Sequence, residues 1–322
     1  MRILHVTNGG PALGAVEAGG TAVVNLVEAL NREAVENDVL SIERCSSTLE
    51  YLRTIPRLRA KLKEKHYDLV HAQYAHSVLV AAMQRRVPVV GHFHAELQTG
   101  GSKDYILAQL AARMTPHLLV GDATSAMRLG ATHVRVLPLG VDSARFAPRD
   151  RGASCKKLGL DPNKRWIVFP ADPKRKEKNY PLFAEAMKRV QRAVPAAREL
   201  ILCGRNYADV PDVMNAADLL LLTSTCEASP TVVKEALLCN LPVVSTNVGD
   251  VARMLQGVWP SAVTASEPDA LAERAIALVR GGVRSDGRRK EPLLNLKHTA
   301  EAVLRFYAEV LATSEGHCED AA

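Results

Sequence analysis

No apolar run in this 322-residue chain approaches the ~20 residues that span a bilayer, so no segment reads as a transmembrane helix. The opening MRILHVTNGG is too short and too soon interrupted by glycine to be a secretory signal. Aromatic residues make up only 4% of the chain, and no stacking platform or nucleic-acid motif accompanies the basic residues. A nucleic-acid partner is therefore not expected. The cysteines, at positions 45, 155, 203, 226, 239 and 318, form no C-x-x-C pair. That scatter points to reduced thiols of a cytosolic protein rather than to disulfides or a zinc site. No D-x-D is present, and no G-x-G-x-x-G can be read in the glycine-rich stretch near the N-terminus.

What is present is basic. The formal charge of +6 favours something anionic. Nucleotide substrates, phospholipid surfaces and acidic glycans all fit. The length suffices for two domains of ordinary size, each with its own core.

Apolar runs alternate with helix-like segments almost end to end. ILHV (3–6), DLVHA (68–72), VPVVGH (87–92), HLLVG (117–121) and VRVLP (134–138) mark strands of a first half. WIVFP (166–170), ELILCG (199–204), DLLLLTS (218–224) and LPVVST (241–246) mark a second series. Between them lie TAVVNLVEAL (21–30), YPLFAEAMKRVQRAV (180–194) and PDALAERAIALVRG (268–281). Such alternation indicates α/β architecture with parallel sheets covered on both faces. The polar stretch 146–165 reads as a junction, giving domains of 1–145 and 146–322. The last helical segment, 296–312, belongs to the second or packs back on the first, and the tail after it reads as frayed. Two doubly wound domains facing each other make a central cleft, the default ligand site.

The stretch CEASPTVVKEALLCNLPVVSTNVGD (226–250) carries Glu227 and Glu235 on either side of a helix start. Ser229 is expected as N-cap with Pro230 at the first helical position. The backbone N–H groups near Thr231 and Val232, with the helix dipole, suit a phosphate. Glu235 lies roughly 7–8 Å further along the axis. Carboxylates accept well from vicinal hydroxyls, so the order matches a nucleotide sugar: sugar hydroxyls, diphosphate, ribose diol. A solvated surface helix with two unremarkable glutamates fits the spacing as well.

The E-x7-E arrangement resembles the donor-site signature of glycosyltransferase family 4, whose members have the GT-B fold of two Rossmann-like domains. DLVHAQYAHS (68–77) is similar to the family's D-[IV]-[IV]-H-x-H segment, with Tyr74 or His76 taken for the second histidine. VLPLGVDSARFAP (136–148) resembles the segment at the inter-domain junction, with Leu139 where asparagine is usual. ADLLLLTS resembles the strand leading into the signature, and Ala228 stands where glycine is usual.

The resemblance implies further site residues. The glycine-rich loop TNGGPALGAVEAGGTAVV would approach the donor diphosphate, with Gly19 and Gly20 preceding a helix near Thr21. In VPVVGHFHAEL, alignment by the strand points to His94 rather than His92 near the sugar, donating to a hydroxyl or to the phosphate region; His71 is read as structural. In FPADPKRKEKNYPLF, Lys178 fits the lysine of the family's G-R-x-x-x-x-K-G segment. Its arginine place falls near Asp172, and Arg175 is the candidate for the role. The family's extra strand contacting the base is missing between ELILCGRNY and DLLLLTS, where only ADVPDVMNAA intervenes. Donors with different bases therefore cannot be separated.

The segment 50–66 places Leu52, Ile55, Leu58 and Leu62 at helical spacing among basic residues. A helix packed on its own sheet accounts for this, and peripheral contact with an anionic membrane is the other reading. The resemblance implies a retaining, metal-independent transferase in the cytoplasm or at the inner membrane surface. It would move a sugar from a nucleotide diphosphate-sugar to an unidentified acceptor (glycan, lipid-linked or small molecule) held by the first domain. Glu227 would hold sugar hydroxyls, Glu235 the ribose, and Arg175 and Lys178 the leaving diphosphate. Alternatives are a nucleotide-sugar epimerase of the same architecture and a non-catalytic nucleotide-sugar-binding relative.

Overall fold

The computed structural model describes residues 1–8, 20–42, 51, 53–94, 97, 102–131 and 133–319. They form two compact units, Met1–Leu139 with Leu296–Ala322, and Gly140–Asn295.

In the first unit the order is β1 (Arg2–Asn8), α1 (Gly20–Arg32), β2 (Glu36–Ile42), α2 (Ile55–Glu64), β3 (Leu69–Gln73), α3 (Ala75–Ala82), β4 (Val89–Phe93), α4 (Ser102–Met114), β5 (His117–Val120), α5 (Ala123–Leu129) and β6 (Val134–Val136). All neighbouring strands run parallel, in the order β2-β1-β3-β4-β5-β6. Side chains alternate across a strand. Leu4, Val70 and Leu118 therefore face a core with Leu58, Val78 and Ala108 of α2–α4. Ile3, Leu69, Val90 and Leu119 face the other side, against Leu26 and Leu30 of α1.

The second unit runs α6 (Arg151–Leu158), β7 (Arg165–Phe169), α7 (Tyr180–Ala193), β8 (Ala197–Ile201), α8 (Val210–Ala216), β9 (Leu219–Leu222), α9 (Thr231–Leu238), β10 (Val243–Thr246), α10 (Val251–Leu255), β11 (Ala262–Thr264), α11 (Pro268–Gly281) and α12 (Glu291–Leu294). Its strands are parallel in the order β11-β10-β9-β7-β8. Helices α8, α9 and α10 cover one face, and α7 and α11 the other. The last helix, α13 (Leu296–Glu319), completes the first unit: Leu296, Ala300, Val303, Tyr307 and Val310 pack with Ile3 and Leu30. It runs seven residues beyond 312, through most of the tail expected to fray.

The two units divide at Leu139/Gly140 rather than at 145/146. Val141 and Phe146 are buried in the second unit's core, and the Val141 N–H donates to the Leu294 carbonyl at 2.8 Å. The expected junction 146–165 instead holds α6, started by Asp150 accepting from the Ala153 N–H at 2.7 Å and ended by left-handed Gly159. On α2, Leu58 is buried and Ile55 and Leu62 pack against the core, so the apolar stripe is used within the unit; Leu52 lies outside the described residues. No described helix is long and apolar enough to cross a membrane.

Candidate active site

The second unit gathers the acidic signature at the carboxyl ends of β7, β9 and β10. The loop after β7 closes in a short 3-10 turn, Lys176–Lys178, followed by Asn179 in left-handed backbone at φ 52°. This turn is stitched to the loop after β9. Thr223 Oγ1 donates to the carbonyls of Lys178 (3.0 Å) and Asn179 (3.2 Å), and the Thr225 N–H donates to Glu177 O at 2.9 Å. The stitching brings Lys178 Nζ to donate directly to Oε1 of Glu227. The same oxygen accepts Ser224 Oγ at 2.8 Å. Both partners are largely out of solvent, with side chains 14% and 9% exposed, so each charge is stabilised mainly by the other.

Arg175 is not part of this group of contacts. Its Nε and Nη2 engage Glu177 Oε1 at 2.7 and 2.6 Å. The residue expected to share the lysine's task is thus held by a neighbouring carboxylate two positions on.

Helix α9 starts one residue later than expected. Pro230 stands at the N-cap without a capping side chain, so the first turn begins at Thr231 and Val232. Ser229 Oγ donates instead to Asp250 Oδ2 at 3.0 Å, because the loop after β10 folds over the signature loop. There the Asp250 N–H donates to the Ala228 carbonyl at 3.1 Å. Gly249 has φ +52°, and a Cβ on it would lie 2.1 Å from Ala228 O. Only glycine allows this approach.

Glu235, in the second turn of α9, is buried and accepts from Tyr207 Oη at 3.1 Å. Burial pushes its carboxyl up to about 7, against the lowering effects of the Tyr207 bond and of Arg145. The Arg145 guanidinium lies over the Tyr207 ring at 4.3 Å. Tyr207 comes from the short segment between β8 and β9, which folds as a 3-10 turn, Tyr207–Asp209, leading into α8.

In the first unit, His94 follows β4, and its Nε2 lies 2.7 Å from Gln73 Oε1. Burial lowers its ring to about 4, leaving it neutral at pH 7. His71 is fully buried and hydrogen-bonded to Tyr307, a structural partner as expected. Counted from Asp68, the second histidine of the D-[IV]-[IV]-H-x-H pattern falls on Gln73, not on Tyr74 or His76. Gly20 opens α1; Gly19 and most of its loop lie outside the described residues.

Residues 41–145 match the family model described as Glycosyltransferase Family 4, and residues 185–280 match the one described as Glycosyl transferases group 1. The chain is a glycosyltransferase. D-inositol 3-phosphate glycosyltransferase of Mycolicibacterium gilvum (strain PYR-GCK) is 26% identical to it over 350 residues, spanning 92% of this chain and 77% of that protein. Sucrose-phosphate synthase from Thermosynechococcus elongatus superposes with a TM-score of 0.83 at 16% identity, over 97% of this chain and 99% of that one. HepE from Anabaena, solved in complex with UDP-glucose, gives 0.71 at 18% identity, over 97% and 100%. These likenesses establish the GT-B fold.

Sequence reasoning about this glycosyltransferase passed over Ser224, Tyr207 and Gln73. Ser224 ends the run DLLLLTS, where a hydroxyl three residues before Glu227 was a readable signal. Gln73 was readable by counting the pattern. Nothing local marks Tyr207, whose phenol reaches Glu235 across 28 positions.

Proposed function

We propose that this glycosyltransferase moves a sugar, with retention and without a metal, from a nucleoside diphosphate-sugar to an acceptor bound by the first unit. One observation carries the reading: a lysine ammonium and a glutamate carboxylate, both shielded from water, meet beside the start of α9. A donor entering there can divide the pair. Its diphosphate takes Lys178 and the first-turn N–H groups at Thr231 and Val232, and its sugar hydroxyls donate to Glu227. Glu235 and Tyr207, a turn deeper, then accept the ribose diol. These cationic and N–H groups neutralise the departing diphosphate, a contribution worth several kcal/mol in transition-state terms. Arg175 adds to them only if it leaves Glu177. The leaving phosphate takes the proton of the acceptor hydroxyl on the same face, which keeps the anomeric configuration.

UDP-glucose, bound by HepE, is the first donor to try. The test is a thermal-shift panel of nucleoside diphosphates and their sugars, followed by a donor-hydrolysis assay. Stabilisation by one diphosphate, with slow sugar release that Glu227→Ala abolishes, supports the reading. Donor binding with neither release nor transfer would reduce the protein to a nucleotide-sugar binder.

A further inference from the structure

Helices α2, α3 and α4 cover the same face of the first sheet, with α3 between the other two. Their outward sides differ. Helix α3 exposes no residue. Helix α2 turns Leu58 and Leu62 inward and leaves Arg57 and Lys63 exposed. Helix α4 instead leaves large apolar side chains outside: Ile106 is 64% exposed, Leu110 46% and Met114 38%. Standing four positions apart, they form one row along the helix. Lys103 and Arg113 are exposed on the same side, within about 60° of Leu110 around the axis. Asp104, the one acidic residue of α4, lies about 120° from it. Tyr105 Oη donates to the Arg128 carbonyl at 2.9 Å and draws α5 alongside, where Met127 is 74% exposed.

The outward row has no use within the unit, because Leu107, Ala108 and Ala111 of the same helix already fill the core on this face. Apolar surface gathered in one place marks a contact with something else. The nearby cations decide what kind. Among the described residues, Arg57, Lys63, Lys103 and Arg113 make neither a hydrogen bond nor an ion pair. A second copy seated here would bring two cationic surfaces together, since a two-fold contact pairs a surface with itself. A protein partner fits poorly for another reason, the depletion of lysine at such interfaces. An anionic bilayer meets both components at once. Aliphatic side chains reach the acyl boundary, and the long basic side chains hold headgroup phosphates.

We propose that the α2–α4 face of the first unit docks on an anionic phospholipid membrane. Ile106, Leu110 and Met127 enter the headgroup layer, and the cations of α2 and α4 hold lipid phosphates. The contact is peripheral, since no described helix is long and apolar enough to cross a bilayer. The sequence places its membrane reading on 50–66 alone. In the structure that segment supplies charge through α2, and the apolar contribution comes from α4. Docking needs nothing of the donor site, so it stands apart from the proposed function.

The test is cosedimentation of the whole protein with lipid vesicles, without substrate. Vesicles of phosphatidylcholine mixed with phosphatidylglycerol should carry down the wild type at low salt, and vesicles of phosphatidylcholine alone should not. Ile106→Ser/Leu110→Ser is expected to weaken binding roughly tenfold or more, at low and high salt alike. Lys103→Ala/Arg113→Ala should weaken it about 25-fold at low salt, near fivefold for each cation, and much less at high salt. All four positions are exposed, so both variants should melt as the wild type does. Wild type left in the supernatant with the mixed vesicles overturns the proposal. So does either variant that binds as tightly as the wild type, because the contact then lies elsewhere. A wild type that is dimeric by light scattering, with Ile106→Ser/Leu110→Ser monomeric, would give the face to a second copy and overturn it too.

Discussion

Lys178 and Glu227, 49 positions apart, form an ion pair inside the candidate donor site, and Ser224 bonds to the same carboxylate oxygen. Lys178→Met strands a largely buried carboxylate, and Glu227→Gln strands a largely buried ammonium. Each single change is expected to cost about 3 kcal/mol in urea unfolding of the second unit. The double variant should cost clearly less than the sum, because no charge is then left alone. Additive losses would mean that the pair contributes no coupling. All three variants should lose sugar transfer.

Glu235 has the opposite relation to stability. Its folded carboxyl, at about 7, lies above the ordinary value of 4.5, so the folded protein binds more protons than the unfolded chain between these pH values. Stability is lost as pH rises through that window and stays lost above it. Glu235→Gln should therefore raise the melting temperature at pH 8 and leave it nearly unchanged at pH 4.5. The difference corresponds to about 2–3 kcal/mol. Nucleoside diphosphate affinity should fall in the same variant, measured by calorimetry at pH 8. A melting temperature that drops at pH 8 would show that the carboxylate is better accommodated than its burial implies.

Histidines of β1, β3 and β4, with His94 just after, make the first unit sensitive to acid. Burial holds His5 and His94 at about 4 and His71 and His92 well below their ordinary value of 6.5. The unfolded chain then binds more protons, so stability present above pH 6.5 drains away as pH falls towards 4. Amide protection factors in β1, β3 and β4, corrected for the intrinsic slowing of exchange in acid, should fall between pH 7 and 5. Both ring nitrogens of the buried His92 lack a hydrogen-bond partner among the described residues. His92→Leu should accordingly stabilise the unit by about 1 kcal/mol and soften the acid response.

Gly249→Ala tests the packing of the two loops. With φ +52° and a new carbon 2.1 Å from the Ala228 carbonyl, the signature loop must shift. A loss of about 2 kcal/mol or more in stability is expected, together with weaker donor binding. Unchanged donor affinity by thermal shift would separate the Ala228 backbone from donor recognition.

The central strands were readable because parallel strands buried on both faces must be apolar almost throughout, as LLLL of β9 and VVGHF of β4 are. Two edge strands, β2 and β11, escaped for the complementary reason. Strand β2 opens on Glu36, Asn37 and Asp38, and β11 has only three residues, none of them buried. Glu227 and Glu235 were legible as residues because spacing and resemblance both marked them, and Lys178 because the resemblance did. Their bonding was not, since the Lys178–Glu227 contact depends on Thr223 and Thr225 tying two distant loops together. Ser229 misled because its hydroxyl had a competing acceptor, Asp250, 21 positions downstream.

The return of α13 to the first unit affects how the chain is made. The second unit is one continuous stretch, Gly140–Asn295, and all its strands are available once that stretch has left the ribosome. The first unit emerges earlier, yet the face formed by Ile3, Leu26, Leu69 and Leu119 stays uncovered until Leu296–Val310 arrives. The first half to be synthesised is therefore the last to finish folding. For that interval its uncovered face is open to chaperones and to aggregation.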